Sequence, residues 1–210
     1  MKNIYIIDYI GRHGGTDRYL SEYQNFLKNI QGVNNVTILS NYASEPDSEP
    51  FFIDHYKGRI WNQVLSLYRN YHRLSRFIDR HPDDIFIYMA YGNGIDIHFI
   101  RIAAQAQCHI IDLQASLADN YADDYNLQRE YDNLFLQRAT TIICHNDRIA
   151  NHLSECGFTG LLIKMPSFNY NIFQDLTPDM IANDFKEASS ADDIPKLLQQ
   201  AKDKICELVE

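Results

Sequence analysis

The stretch NIYIIDYIGRHGGTDRYL, residues 3–20, joins two periodicities through a glycine turn. Residues 3–9 form an apolar run broken by Asp8, the pattern of a strand buried on both faces. Beyond the turn, Tyr19, Leu20, Tyr23, Phe26, Leu27 and Ile30 recur at helical spacing. A helix is therefore expected through about Ile30, capped by Thr16 or Asp17. Between the two lie Gly11, Gly14 and Gly15. A buried strand that feeds a helix through such a turn opens a βαβ unit.

The same alternation continues along the chain. Strands are expected at 35–40, 84–90, 109–114, 140–146 and 160–166, and helices at 59–80, 95–106, 120–138 and 147–156. The stretch 41–58 holds two prolines and several acids and reads as a surface loop. The helix at 59–80 places Ile60, Trp61, Val64, Leu65, Tyr68, Tyr71, Leu74 and Ile78 on its apolar side. Arg69, Arg73, Arg76 and Arg80 form one basic stripe along it, either a solvated face or a contact for anionic lipid. Residues 174–192 are polar and acidic. The last helix takes Asp192 or Asp193 as its cap and Pro195 in its first turn, with Ile194, Leu197, Leu198, Ala201, Ile205 and Leu208 as its stripe. It either packs back on the domain or docks on another subunit. The expected fold is α/β: one Rossmann-like domain over 1–173, with a parallel sheet and helices on both faces. An acidic linker and amphipathic helix follow over 174–210.

Composition narrows the function classes. The chain has 210 residues, 45% hydrophobic and 22% charged, with a formal net charge of -9. Such a charge argues against nucleic acid as a partner, since phosphate neutralisation needs a basic footprint. The amino-terminal apolar run is too short for a signal-peptide core or a membrane span. Cys108, Cys144, Cys156 and Cys206 are scattered without a CxxC pair and read as buried reduced thiols, as in a cytoplasmic protein.

At the carboxyl end of a parallel sheet, a glycine turn brings backbone N–H groups to a ligand, and the helix behind it favours anions. The spacing Gly11-x-x-Gly14-Gly15 is not GxGxxG. Ser40 and Asn41 end the second strand, where a dinucleotide site would hold an acid. GK[ST] is absent, which excludes a P-loop. A tight turn that binds nothing stays open on spacing alone.

HGGTDRYLSEYQNFLKNIQGVNNVTILSN (13–41) resembles the opening of the amino-terminal domain of family 4 GT-B glycosyltransferases. There HGGxER precedes a helix and a strand like VTIL. Gly14, Gly15, Asp17 and Arg18 match, with Asp17 in place of Glu. RATTIICHNDRIANHLSECGF (138–158) and LLIKMPSFNYNIF (161–173) are similar to that family's later strand–helix segment and its entry to the interdomain linker. The HN after the strand is also similar to bacterial adhesin glucosyltransferases and galactofuranosyltransferases. The resemblance covers about 1–173.

The resemblance implies an acceptor-binding half of an enzyme of polysaccharide biosynthesis. It would transfer a hexosyl group from a nucleotide-sugar, its donor substrate, to a glycan or lipid-linked acceptor, with no cofactor and no metal. Arg12, Gly14, Gly15, Thr16 and Arg18 would line the loop near the donor diphosphate, where preorganised N–H donors and cations stabilise the leaving group. His13, Tyr91, Asn93, Asp112, Gln114, His145 and Asn146 are the acceptor-side candidates. Two departures matter. Only 37 residues follow Phe173 (210 − 173), too few for a donor domain with its E-x7-E motif. Gln114 stands where many relatives place a strand-end His, and Gln cannot act as a general base. Asp112 or His109 could compensate, or could be buried and satisfied. Asp119, Asp123 and Asp124 read as a solvated helix start rather than a metal site.

Three readings follow. In one, a donor-domain subunit or self-association into a homo-oligomer completes a cytoplasmic transferase that works at the inner face of the membrane. In the second, the chain is a non-catalytic module that binds a glycan or nucleotide, or regulates an enzyme. In the third, it is an unrelated nucleotide-binding α/β domain, which the HGG loop alone does not exclude.

Overall fold

A computed structural model describes residues 1–9, 16–40, 48–52, 60–90, 109–113, 139–166, 168, 185 and 193–210. The strands are β1 (Lys2–Ile7), β2 (Val33–Ser40), β3 (Ser48–Pro50), β4 (Ile85–Ala90), β5 (His109–Leu113), β6 (Thr141–Cys144) and β7 (Leu161–Lys164). The described helices are α1 (Thr16–Lys28), α2 (Ile60–Arg80), α3 (Asp147–Glu155) and α4 (Ile194–Val209). The strands form one seven-stranded sheet in the order β3-β2-β1-β4-β5-β6-β7, every neighbouring pair parallel. The fold is α/β and Rossmann-like. The expected helices at 95–106 and 120–138 lie outside the described residues.

Strand alternation sorts the core into two layers. In β4, Phe86, Tyr88 and Ala90 join one apolar cluster with Leu74 and Ile78 of α2 and Ile149 and Leu153 of α3. Ile85, Ile87 and Met89 join the other, with Leu20, Tyr23 and Leu27 of α1 and Ala201, Ile205 and Val209 of α4. All six β4 residues are buried, as a central parallel strand requires. The covering follows from connectivity. The chain runs from β1 to β2 in one direction across the sheet, and from β3 to β4 and β6 to β7 in the other. Crossovers of one hand put these helices on opposite faces.

The end of α3 explains its glycine. The Gly157 N–H donates to the Ser154 carbonyl at 3.0 Å and the Phe158 N–H to the Leu153 carbonyl at 3.0 Å. That is a Schellman closure, and it places Gly157 at φ 86°, a conformation costly for other residues.

Helix α4 packs back on the sheet. Ile194, Leu197, Ala201, Ile205 and Val209 are its buried side chains; Leu198 and Leu208 are partly buried. Lys2 Nζ donates to the Leu208 carbonyl at 3.1 Å, and Lys204 Nζ to the Leu162 carbonyl at 3.2 Å. Asp193 is the N-cap by position, but its carboxylate holds Lys196 Nζ at 3.0 Å instead of a backbone N–H.

Three expectations are corrected. The stretch 41–58 is not all loop: Ser48–Pro50 pairs with Ile38–Ser40, and Phe51 and Phe52 are buried. Glu49 and Pro50 suit an edge strand, where Pro withholds no needed donor. On α2, Trp61, Val64, Leu65, Tyr68 and Tyr71 are exposed, while Leu74 and Ile78 are buried. The reason is helical phase. At about 100° per residue, Trp61, Leu65 and Tyr68 lie about 120–180° around the helix from Leu74 and face away from the sheet. Asn70 and Leu67, close to the direction of Leu74, are buried and partly buried. Finally, Cys144 is buried, but Cys156 is exposed and Cys206 only half-buried. Cys156 stands at the end of α3, outside its packed face.

The α4 packing makes Ile205 a test. Ile205→Ala should lower the unfolding free energy by about 2–5 kcal/mol, measured by urea denaturation. A change under about 0.5 kcal/mol, the usual surface value, would mean that α4 is not part of the core.

Candidate functional site

The strand order reverses between β1 and β4, with α1 leaving on one face and α2 arriving on the other. In open α/β sheets that switch point opens the crevice where ligands bind. Asp8 and Tyr9 follow β1 there, both fully or nearly fully buried. The Asp8 N–H donates to the Leu39 carbonyl at 3.0 Å, and the Tyr9 hydroxyl accepts from Asn70 Nδ2 at 3.3 Å. Residues 10–15 connect this point to the start of α1. Arg12, His13, Gly14 and Gly15 lie outside the described residues, as do Tyr91, Asn93, Gln114, Asp119, Asp123 and Asp124. Thr16 and Arg18 are described in backbone only, as part of the first turn of α1, so Thr16 is inside the helix rather than ahead of it. For His109, too, only the β5 backbone is described.

The structure brings Asp112 and His145 together. Asp112 pairs in register with Ile143, so His145, two residues on, projects from the same face. His145 Nε2 lies 2.6 Å from Asp112 Oδ1, and Nδ1 lies 2.8 Å from the Met165 carbonyl oxygen. A carbonyl only accepts, so Nδ1 carries a hydrogen. One further proton lies between Nε2 and Oδ1. The ring therefore ties the ends of β5 and β7 together across β6. Both side chains are almost wholly buried.

Helix α1 closes over this pair. The Tyr19 ring meets the His145 ring edge-on at 6.5 Å, and Tyr19, Tyr23 and Phe26 surround Phe168 at 5.3–5.7 Å. Burial, then the charge of Asp112, pushes the Tyr23 phenol well above the usual tyrosine range. Its hydroxyl is near the Asp112 carboxyl but outside hydrogen-bonding geometry, and it has no partner among the described residues. Burial and Asp112 also push the Cys144 thiol up, with Lys164 opposing. Cys144 is thus an inert core thiol rather than a nucleophile. Sequence reading nominated Asp112 and His145 but missed their tyrosine lid. The legible signal was the i, i+4 pair Tyr19 and Tyr23 on the apolar side of α1.

Asn146 has a structural task. Its Oδ1 accepts from the Ile149 N–H at 2.9 Å and so caps α3. Beside it, Lys164 Nζ holds Asp147 Oδ1 at 2.7 Å. Among the described residues, no group of three or more His, Cys, Asp or Glu side chains could hold a metal ion.

Two measurements separate a clamp from an incidental contact. Asp112→Ala leaves a buried imidazole without its carboxylate and should cost about 3–5 kcal/mol in urea denaturation. A loss below about 1 kcal/mol would show that the pair holds nothing. Tyr23→Phe removes an unsatisfied hydroxyl and should be neutral or stabilising. The folded chain keeps the Tyr23 proton at a pH where the unfolded chain loses it. This contribution is therefore full below about pH 10 and falls as pH rises further. Urea midpoints from about pH 9.5 to 11.5 should decline less steeply in Tyr23→Phe than in wild type. Equal slopes would remove Tyr23 from the alkaline transition.

No protein-family model matches the chain, and no curated protein matches it.

Proposed function

We propose that this chain is the acceptor-binding half of a GT-B-type glycosyltransferase. It works with a donor-binding partner subunit, or as a homo-oligomer, to move a hexosyl group from a nucleotide-sugar to a glycan or lipid-linked acceptor. The observation that carries the reading is positional. The HGGTDR segment follows β1 at the reversal of strand order and leads into α1. Backbone N–H groups and a helix N-terminus there suit a diphosphate. Arg12, Gly14, Gly15, Thr16 and Arg18 serve as the diphosphate loop. Asp112 and His145 hold the floor beneath the helix that carries it. His13, Tyr91, Asn93 and Gln114 contribute to the acceptor side. A cytoplasmic location fits this chemistry. The reading puts contact with a lipid-linked acceptor at the inner face of the membrane; among the described residues, no helix is long and apolar enough to cross one.

A second reading draws on the burial of the Asp112–His145 pair. The two side chains satisfy each other away from solvent, which suits a non-catalytic module that binds a glycan or nucleotide without reacting it.

The test uses a panel of nucleoside diphosphate sugars in equilibrium binding. Wild type should bind at least one of them. Gly15→Val, which adds bulk and restricts the turn, should weaken that binding at least tenfold while its thermal midpoint stays within a few degrees. Sugar transfer upon addition of a donor-domain protein separates the catalytic from the non-catalytic reading. Failure of every nucleotide-sugar to bind, or equal binding by a folded Gly15→Val, defeats the proposal.

A further inference from the structure

On its exposed side, α2 presents an open groove of about 700 Å³. Arg69, His72, Arg73, Arg76 and Arg80 line it, with the Phe51, Tyr68 and Phe77 rings among them. The four arginines fall at i, i+4, i+7 and i+11, one row about 16 Å long. Arg69, Arg73, Arg76 and Arg80 are exposed. Among the described residues, none of these guanidinium groups is in an ion pair. From Ile60 to Ile78 the helix carries no acid.

A chain of net charge -9 gathers these four cations along one helix without neutralising them. A solvated helix would more often interleave acids at i, i+4 positions. Here like charges repel along the row, a cost that an anion in the groove would offset. All four are arginines, the side chain whose planar fork binds phosphate through two parallel N–H donors. Arg73 is held in place, its guanidinium 4.8 Å above the Phe51 ring. The concavity also matters: a flat charged plane would suit a surface, whereas a groove surrounds a chain.

We propose that this groove binds a linear polyphosphate group, a run of two or more phosphates lying along α2 and gripped by successive arginines. The proposal does not depend on the glycosyltransferase reading.

Inorganic tripolyphosphate is the probe, titrated calorimetrically and by the fluorescence of Trp61, the single tryptophan of the chain. Binding should weaken several-fold as salt rises from about 50 to 200 mM. Arg69→Gln with Arg76→Gln should weaken it at least tenfold. The charge-matched pair Lys196→Gln with Lys202→Gln on α4 should change it less than twofold. Gly15→Val should leave it unchanged, which keeps this result distinct from the fate of the turn. Circular dichroism verifies that each variant is folded. Absence of tripolyphosphate binding overturns the proposal, as does an equal loss in the arginine and lysine pairs, which would signify bulk charge only. Vesicles containing phosphatidate provide the remaining arm. If they bind through the arginines and tripolyphosphate does not displace them, the groove belongs to a membrane surface and the polyphosphate assignment fails.

Discussion

A parallel ladder cannot be closed by a tight turn. Each strand must be followed by a crossover that returns the chain to the starting edge. In this protein that constraint fixes the remaining architecture. The crossovers bring helices to both faces, so the strands between them lose contact with water and must be apolar on both sides. The six buried residues of β4 are the clearest result. The carboxyl ends of the strands are left as the place where polar groups can gather. Asp8, Asp112, His145, Asn146 and Asp147 are all buried there, each beyond or near the end of its strand.

Much of this was legible in the residues. The switch from a continuous apolar run to helical spacing around Gly11–Gly15 identified β1 and α1, and the same pattern located the other long strands within two residues. The failures have physical causes. Residues 48–50 are three residues of edge strand with a proline, too short and too polar to show a period. The exposed apolar residues of α2 were grouped with the buried ones because this helix carries large apolar side chains around much of its circumference. Trp61 lies about 140° around the helix from Leu74, so it faces away from the sheet while Leu74 faces it.

The candidate site divides in the same way. Asp112 and His145 could be nominated as strand-end polar residues, but the 2.6 Å contact between them depends on the register of β5 against β6. A sequence does not state register. Once register is known, alternation puts both side chains under α1, and Tyr19 and Tyr23 follow as their cover. The arrangement links two features that looked independent. Helix α1 rests directly on the buried pair, so its seating depends on the hydrogen bond between the ends of β5 and β6. Asn146, an acceptor-side candidate by sequence, caps α3 by accepting from the Ile149 N–H.

The seating of α4 governs when the molecule can be finished. Its carboxyl end reaches the first strand through Lys2 and Leu208, and a Cβ on Gly32 would stand only 3.0 Å from Val209. The first strands are synthesised long before the helix that covers them. During translation one face of the nascent sheet therefore keeps Ile4, Ile6 and Val36 without their final neighbours until residue 209 has left the ribosome. Such a chain has an obligatory interval in which it needs shielding, and exposed apolar strands of this kind invite aggregation or chaperone capture. The order of the sheet thus delays completion of this face until α4 has been synthesised.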